Sequence, residues 1–528
     1  MRAMSGRTWT LVAVVLASGI VFLDSTVVNV ALSAMGRELP ATLVATLEGQ
    51  SYVVYGYLLT LSALLILAGA LADVYGRRRM LLIGLAGFGA SSVLCGLAPS
   101  MELLIAFRLV QGAFGAVLVP TSLAIVSATF EGEERGRAFG IWAAASGATT
   151  LLGPPLGGFL VDAISWRVVF LINVPLVLVA LYAGYAHVAE SRNPEAKGRF
   201  DWLGAAVIAI AVGGLAFGAI RGQERQWADS LAWLALGVGA LACVATAPLM
   251  LLRRDPLVPA SLFRSRNFTV TNLSTFLIYG ALYVFGYLMA IFVQGTLGYS
   301  ALAAGLIGLP VSILLTFFST SAGTLAGRYG PRWFMTVGPA IMAVGLLWLT
   351  RLPADSTPWR ASLGDPASLV PPFSYLTDFL PAMIVFAVGL TILVAPLTTA
   401  LMNSVPERNS GLASAINNAI SRVGPLLAGA LIFVAVTASF YGGLQQRVPN
   451  LQIDSATVRR DLAPLNRPAP GVPATQATAA HGASTDAFHL AMLIAALLSA
   501  GGAAINGVGI RNAPVVARQA TAAIAPTA

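Results

Sequence analysis

Lysine, histidine and cysteine are nearly absent: Lys197, His187, His481, His489, Cys95 and Cys243 are all there are in 528 residues. Lys197 stands in Glu195-Ala196-Lys197-Gly198, so the chain has no Gly-Lys-Ser/Thr loop to cradle a nucleotide phosphate. Any active process must therefore draw on an ion gradient or a separate ATPase. Two cysteines within apolar runs do not form a disulfide framework. Each is expected as a small buried hydrophobe. The histidines share no metal-ligand spacing, so no metal and no cofactor is expected. No nucleophile elbow and no His/Asp/Glu cluster is present, which speaks against an enzyme. Charge is also scarce, at 10% of residues, against about 25% in soluble domains.

What fills the chain is apolar: 57% of residues are hydrophobic and the mean hydropathy is +0.80. No soluble core hides that much apolar surface, so the class is an all-α polytopic membrane protein. No sizeable soluble domain remains to act as a sensor. Apolar windows of about 20 residues recur about fourteen times, from 10–32 through 138–161 to 488–510. An even number puts both termini on one side. Arg2 and Arg7 precede the first run like a signal peptide's start. That run is too long, contains Asp24 and lacks a small-x-small exit, so it is read as a first span starting inside. The net charge of +9 reflects basic loops rather than nucleic acid binding. Arg77, Arg78, Arg79, Arg135, Arg137, Arg264, Arg266, Arg328 and Arg332 all fall on the side of the termini, which predicts that side to be cytoplasmic. Segments 352–376 and 440–486, rich in Pro, Ala, Ser and Thr, fall outside and are expected to be solvated linkers.

Gly69-Ala70-Leu71-Ala72-Asp73-Val74-Tyr75-Gly76-Arg77-Arg78 is repeated half a chain later as Gly323-Thr324-Leu325-Ala326-Gly327-Arg328-Tyr329-Gly330-Pro331-Arg332. Duplicated halves with a site between them are a transporter architecture. Gly69 and Ala72 permit close helix approach. Asp73 with Arg77 and Arg78 makes either a conformational latch or a basic membrane anchor. The second copy has Gly327 where the first has the acid, so any latch there is weaker.

Charges within the spans carry the functional signal. Asp24 in the first span costs about 2.5–3.5 kcal/mol to insert. Arg108 in the fourth span lies at matched depth, roughly 10 Å below the outer boundary at 1.5 Å per residue. The two are expected to pair, either as a proton-coupling element or as a purely structural ion pair. Arg422 has no obvious acidic partner and is expected to face a cavity, where it either attracts anionic substrate groups or packs against water. Ser18, Ser25, Asn29 and Ser33 form a helical stripe on the first span. Ser25, Asn29, Gln111, Asn417, Asn418 and Arg422 are the candidate cavity residues. Tyr279, Tyr283, Phe285 and Tyr287 line a pocket or serve packing. Gly153-Pro154-Pro155-Leu156-Gly157-Gly158 removes backbone donors within a span. It predicts a kinked, closely packed helix at the interface between the halves, with or without a gating role; Gly424-Pro425 is its counterpart.

Gly69-x-Leu71-Ala72-Asp73-x-x-Gly76-Arg77-Arg78-Arg79 resembles the inter-span signature of the major facilitator superfamily. Arg108-Leu109-Val110-Gln111-Gly112 resembles that family's fourth-span motif. The Gly147 to Gly158 segment is similar to its fifth-span antiporter motif. Leu23-Asp24-Ser25-Thr26 through Leu32, and Ser165-Trp166-Arg167 through Asn173-Val174-Pro175, resemble its fourteen-span drug:proton antiporter group. The resemblance implies two pseudo-symmetric six-helix bundles plus two extra central helices, working by alternating access. The expected division is 1–188, 189–267, 268–510 with the outer loop 440–486, and a cytoplasmic tail 511–528. The expected activity is export of amphiphilic, drug-like small molecules across the cytoplasmic membrane, with the proton gradient as energy source. The expected partners are substrate, protons and membrane lipids. A dedicated lipid or metabolite exporter is the alternative within the class, and a membrane-embedded enzyme or sensor the alternative outside it.

Overall fold

The computed structural model describes residues 6–40, 46–192, 200–224, 229–253, 256–362, 364–406, 409–453 and 455–512. Lys197 and most of the tail lie outside these. The described residues are mainly helical, which lets membrane-spanning backbone satisfy its polar groups within each segment. Fourteen long helices account for it: α1 Gly6–Glu38, α2 Thr46–Tyr75, α3 Arg77–Gly96, α4 Met101–Thr129, α5 Gly132–Ala163, α6 Asn173–His187, α7 Trp202–Glu224, α8 Ser230–Leu252, α9 Arg266–Gly295, α10 Leu309–Tyr329, α11 Arg332–Trp348, α12 Leu380–Asn403, α13 Ser410–Arg447 and α14 Ala474–Gly509. Among the described residues, thirteen stretches are long and apolar enough to cross a membrane. The exception is α5, which is rich in glycine and alanine. It lies between α1 of its own half and α10 of the other, so much of its surface never meets lipid.

Helices α1–α6 pack on one another, as do α9–α14, and the halves meet mainly through α5 on α10 and α2 on α13. The sequence repeat is structural. Gly76 (φ 110°) and Gly330 (φ 91°) make the same left-handed turn between paired helices, a backbone conformation that L side chains rarely adopt. Glu190, just past α6, accepts from the amides of Arg78 and Arg79 at 3.1 Å each, so it caps α3. Asn512, just past α14, accepts from the Arg332 amide at 3.2 Å and does the same for α11. The face bearing these turns is termed the basic face, and its opposite the far face.

α7 and α8 form a hairpin closed by small residues: a methyl on Gly214 would sit 2.9 Å from Gly239 Cα. The hairpin leans on α2 and α13. Arg221 closes the hairpin by donating to Asp229 at 2.5 Å and ties it to α2 by donating to the Tyr52 hydroxyl at 2.7 Å. Most of α8 faces outward, and Cys243 is exposed on it, which corrects the expectation of a buried thiol; Cys95 is buried.

The two polar loops are also corrected. α13 runs to Arg447 and α14 starts at Ala474, so the far-face connection is shorter than 440–486 and contains a helix, Ala456–Asp461. It is docked. Leu462 and Leu465 are buried, the Leu465 amide donates to Ser484 Oγ at 3.1 Å, and Thr296 Oγ1 donates to the Leu465 carbonyl at 3.0 Å. In the other loop, Trp359 and Ala361 are buried and their carbonyls accept from the amide and hydroxyl of Ser300. A few apolar residues among many small ones suffice to dock each segment, a detail that average composition conceals.

Candidate functional site

Asp24 and Arg108 do pair. Arg108 Nη1 donates to Asp24 Oδ2 at 2.5 Å, with the two side chains 1% and 0% exposed. Opposite charge alone does not make such burial tolerable; the remaining lone pairs and protons must be satisfied too. Here they are. Asp24 Oδ1 accepts from Gln111 Nε2 at 3.2 Å and Asn173 Nδ2 at 3.1 Å. Arg108 Nε donates to the Val53 carbonyl at 3.0 Å, and Nη1 also to Gln111 Oε1 at 2.7 Å. Ser92 Oγ accepts from Gln111 and Asn173 and donates to the Phe170 carbonyl at 2.8 Å. The guanidinium lies 4.1 Å above the Tyr57 ring. Five helices, α1, α2, α3, α4 and α6, thus converge on one carboxylate. Gly112 sits against the Tyr57 carbonyl with no room for a methyl, so α2 and α4 can cross close enough for this.

Gln111 therefore belongs to the ion-pair cluster, not to a cavity wall. Asn173 and Ser92 were not singled out from sequence. Asn173 stands within the Phe170–Pro175 motif, a signal that was available. Ser92 is one serine among many.

The second constellation clamps the halves at the basic face. Asp73 Oδ1 accepts from Arg77 Nε and Nη2 at 3.0 and 2.9 Å, while Oδ2 accepts from the Leu412 amide of α13 at 3.0 Å. The acid caps the N-terminus of a helix in the other half, where backbone N–H groups have no helical partner. Gly69 lets α2 reach it: a methyl there would be 2.5 Å from Ala415 Cβ and 2.6 Å from the Gly411 carbonyl. The second copy is equivalent in packing. A methyl on Gly323 would meet the Gly136 carbonyl of α5 at 2.7 Å. The missing acid also has a reason. α13 has no acid in its first turn, whereas α5 carries Glu133 and Glu134 in its own. Of the two candidate latch arginines, Arg77 serves the clamp through its side chain. Arg78 instead donates to the Tyr185 carbonyl at 2.6 Å and lies over the Tyr185 ring.

α5 touches the other half through Gly136, Gly140 and Gly147, which lie against Gly323, Thr320 and Leu315. Gly153 and Gly157 instead pack on Thr26 and Val27 of α1, within the same half. Gly158 is partly buried, and helix runs unbroken through 154 and 155; the side chains of Pro154 and Pro155 lie outside the described residues. Gly424 repeats the arrangement, with a methyl there meeting Phe276 of α9 at 2.7 Å. The glycine-rich segment is thus closely packed as expected, but on α1 rather than across the interface.

Between the halves lies a cavity of about 210 Å³. Its wall includes Phe22 of α1, Trp142 of α5, Tyr279 of α9, and Asn417, Asn418 and Arg422 of α13. Trp142 is held by a 2.9 Å hydrogen bond from Nε1 to Ser18 Oγ, so Ser18 supports the wall without forming it. Ser25 is partly exposed and donates to the Val21 carbonyl at 2.6 Å. The Asn29 and Ser33 side chains lie outside the described residues. The residue α1 presents to this cavity is Phe22, not the serine stripe. Of Tyr279, Tyr283, Phe285 and Tyr287 on α9, only Tyr279 reaches it. Tyr283 and Tyr287 stack on each other with centroids 6.1 Å apart, and Phe285 packs on Phe386.

A model of the Major Facilitator Superfamily matches residues 14–429. Over 446 residues the chain is 32% identical to multidrug resistance protein Stp of Mycobacterium tuberculosis, a match covering 84% of this chain and 79% of that one. Over 442 residues it is 32% identical to the methylenomycin A resistance protein of Bacillus subtilis, covering 82% and 89%. Among solved structures, the fold resembles the human organic anion transporter MFSD10, with TM-score 0.54, 16% identity, and 94% and 100% of the two chains covered. The proton:xylose symporter XylE gives 0.53, 17%, 93% and 95%. The chain belongs to the major facilitator superfamily and is a multi-pass membrane transporter, not an enzyme.

Proposed function

We propose that the protein exports amphiphilic, drug-like small molecules across the cell membrane in exchange for protons, by alternating access about the central cavity, with its basic face cytoplasmic. The observation that carries the proton reading is the Asp24 cluster. Asp24 is fully buried and ion-paired, yet the side-chain carbonyl of Asn173 beside it has no hydrogen-bond partner among the described residues. A protonated Asp24 becomes a donor, and a turn of the Asn173 amide presents an acceptor to it. The cluster thus has a hydrogen-bonding scheme for either protonation state.

Protonation removes the charge that holds Arg108, and so loosens α1 against α4. One turn along α1, Thr26 and Val27 bear on Gly153 and Gly157 of α5, which elsewhere spans the two halves. This contiguous packing is the route by which a proton at Asp24 biases the interface. In the conformation described, the halves are clamped at the basic face by Asp73, Gly69 and Gly323, which supports an outward-facing state. The names of the relatives, multidrug and methylenomycin A resistance, support a drug-like substrate.

The test is substrate-induced proton movement in proteoliposomes. Wild-type protein acidifies or alkalinises the lumen when substrate is added against a pH gradient. Well-folded Asp24→Asn should lose uphill export and retain downhill exchange. Proton movement at the wild-type rate in that variant would make Asp24 a structural acid and leave the coupling unexplained.

A further inference from the structure

The chain places Arg108 and Arg422 deep within its spans, and they are treated in opposite ways. Arg108 is compensated by a carboxylate, a backbone carbonyl, a glutamine and a ring face. Arg422, on the wall of the central cavity, makes no hydrogen bond or ion pair among the described residues, and its Nε is buried without a partner. Its ionisable neighbours are two phenols, Tyr57 and Tyr279. Among the described residues no carboxylate lines the cavity, and Arg422 is its one formally charged wall residue.

Apart from Tyr279, the other polar wall side chains already donate hydrogen bonds elsewhere. Asn417 donates to Asn272 and Thr275 of α9 at 3.1 and 2.9 Å. Asn418, Ser421 and Thr398 donate to their own helices. A guanidinium stays protonated, has donors only, and is costly in an apolar interior unless something negative meets it. Around it stand Phe22, Trp142 and Tyr279, which offer aromatic faces.

We infer that the central cavity is built for an anionic amphiphile: Arg422 pairs with one carboxylate, phenolate or sulfonate group, and the aromatic wall takes the attached ring system. This deepens the export reading above and rests on it. It also fixes the electrical character of the cycle. Sending one anion out while bringing at least one proton in moves at least two positive charges inward, so an inside-negative potential drives export. Exchange of a monovalent cation for one proton would move none. Tyr57, against which Arg108 lies, is also within electrostatic range of Arg422, so the ion-pair cluster and the cavity cation share it as a neighbour.

Two xanthene dyes of similar frame and opposite charge, fluorescein and rhodamine 123, serve as probes. Binding to the full chain in nanodiscs is read by fluorescence polarisation. Fluorescein should bind at least tenfold more tightly than rhodamine 123. Arg422→Gln should cost fluorescein at least tenfold in affinity and leave rhodamine 123 unchanged or improved. Arg422→Lys should retain part of the preference. The thermal midpoint of Arg422→Gln should stay or rise, because it removes an uncompensated charge; a fall would mark Arg422 as structural and overturn the inference. So would tighter binding of rhodamine 123, absence of saturable fluorescein binding, or no change in fluorescein affinity in Arg422→Gln. In proteoliposomes, Arg422-dependent fluorescein binding without coupled proton movement would leave the anion site standing and sink proton antiport. Proton-coupled export blind to dye charge would do the reverse.

Discussion

At the scale of single residues, Asp24 and Arg108 illustrate why a buried ion pair is weak evidence of stability but strong evidence of constraint. Removing one partner strands the other, which typically costs about 3–5 kcal/mol. Arg108→Ala should therefore insert poorly, with a markedly lower melting temperature in detergent. The double variant Asp24→Asn/Arg108→Gln should recover part of that stability, because neither charge is left alone. Transport should not recover. Thermal unfolding of the two singles and the double, read beside uptake in vesicles, separates the stability role from the coupling role; recovery of uphill transport in the double would exclude both residues from coupling.

At the scale of helices, the decisive contacts are made by what is missing from side chains. Gly69 brings α2 against α13 closely enough for Asp73 to reach the Leu412 amide. Gly69→Leu should insert normally and fail to close at the basic face. Asp73→Asn keeps an acceptor but loses the charge at the α13 N-terminus, worth about 0.3–1 kcal/mol near the surface and up to about 2 when partly buried. It should slow turnover, while Gly327→Asp should not reproduce its effect. Maleimide labelling of a cysteine placed at cavity residue Leu401, on a Cys243→Ala background, should rise from the basic face in both Gly69→Leu and Asp73→Asn. Unchanged labelling with unchanged turnover would remove the clamp as a conformational device. The far-face loop belongs to this scale too. Leu462 is 2% exposed, and Leu462→Ala should cost about 2 kcal/mol or more. Replacing residues 448–473 with a flexible bridge should lower thermal stability clearly, contrary to the expectation of a solvated linker; an unshifted melting curve would restore that expectation.

At the scale of the whole molecule, the testable claim is sidedness. Arg192 lies exposed on the basic face and Asn450 exposed on the far face. In intact cells a membrane-impermeant maleimide should label Asn450→Cys at once and Arg192→Cys only after permeabilisation. The opposite pattern would invert the topology and with it the reading of an outward-facing state.

What the sequence determined by itself is whatever the solvent dictates locally. A hydrocarbon environment leaves the backbone no partner but itself, so runs of about 20 apolar residues become helices wherever they occur, and α5 could be read from spacing despite its small residues. The duplicated Gly69–Arg78 segment announced the pseudo-symmetry because its turn demands glycine at 76 and 330. Asp24 and Arg108 could be matched because depth along a helix is a linear count. Only the tertiary structure decided which faces meet, since rotation about each helix axis is set by partners far away in the chain. That is why Gln111 went to the ion pair instead of the cavity, why Gly153 and Gly157 pack on α1, why Phe22 replaced the serine stripe, and why the roles of Asn173, Ser92 and Glu190 came into view only when segments distant in the chain had met.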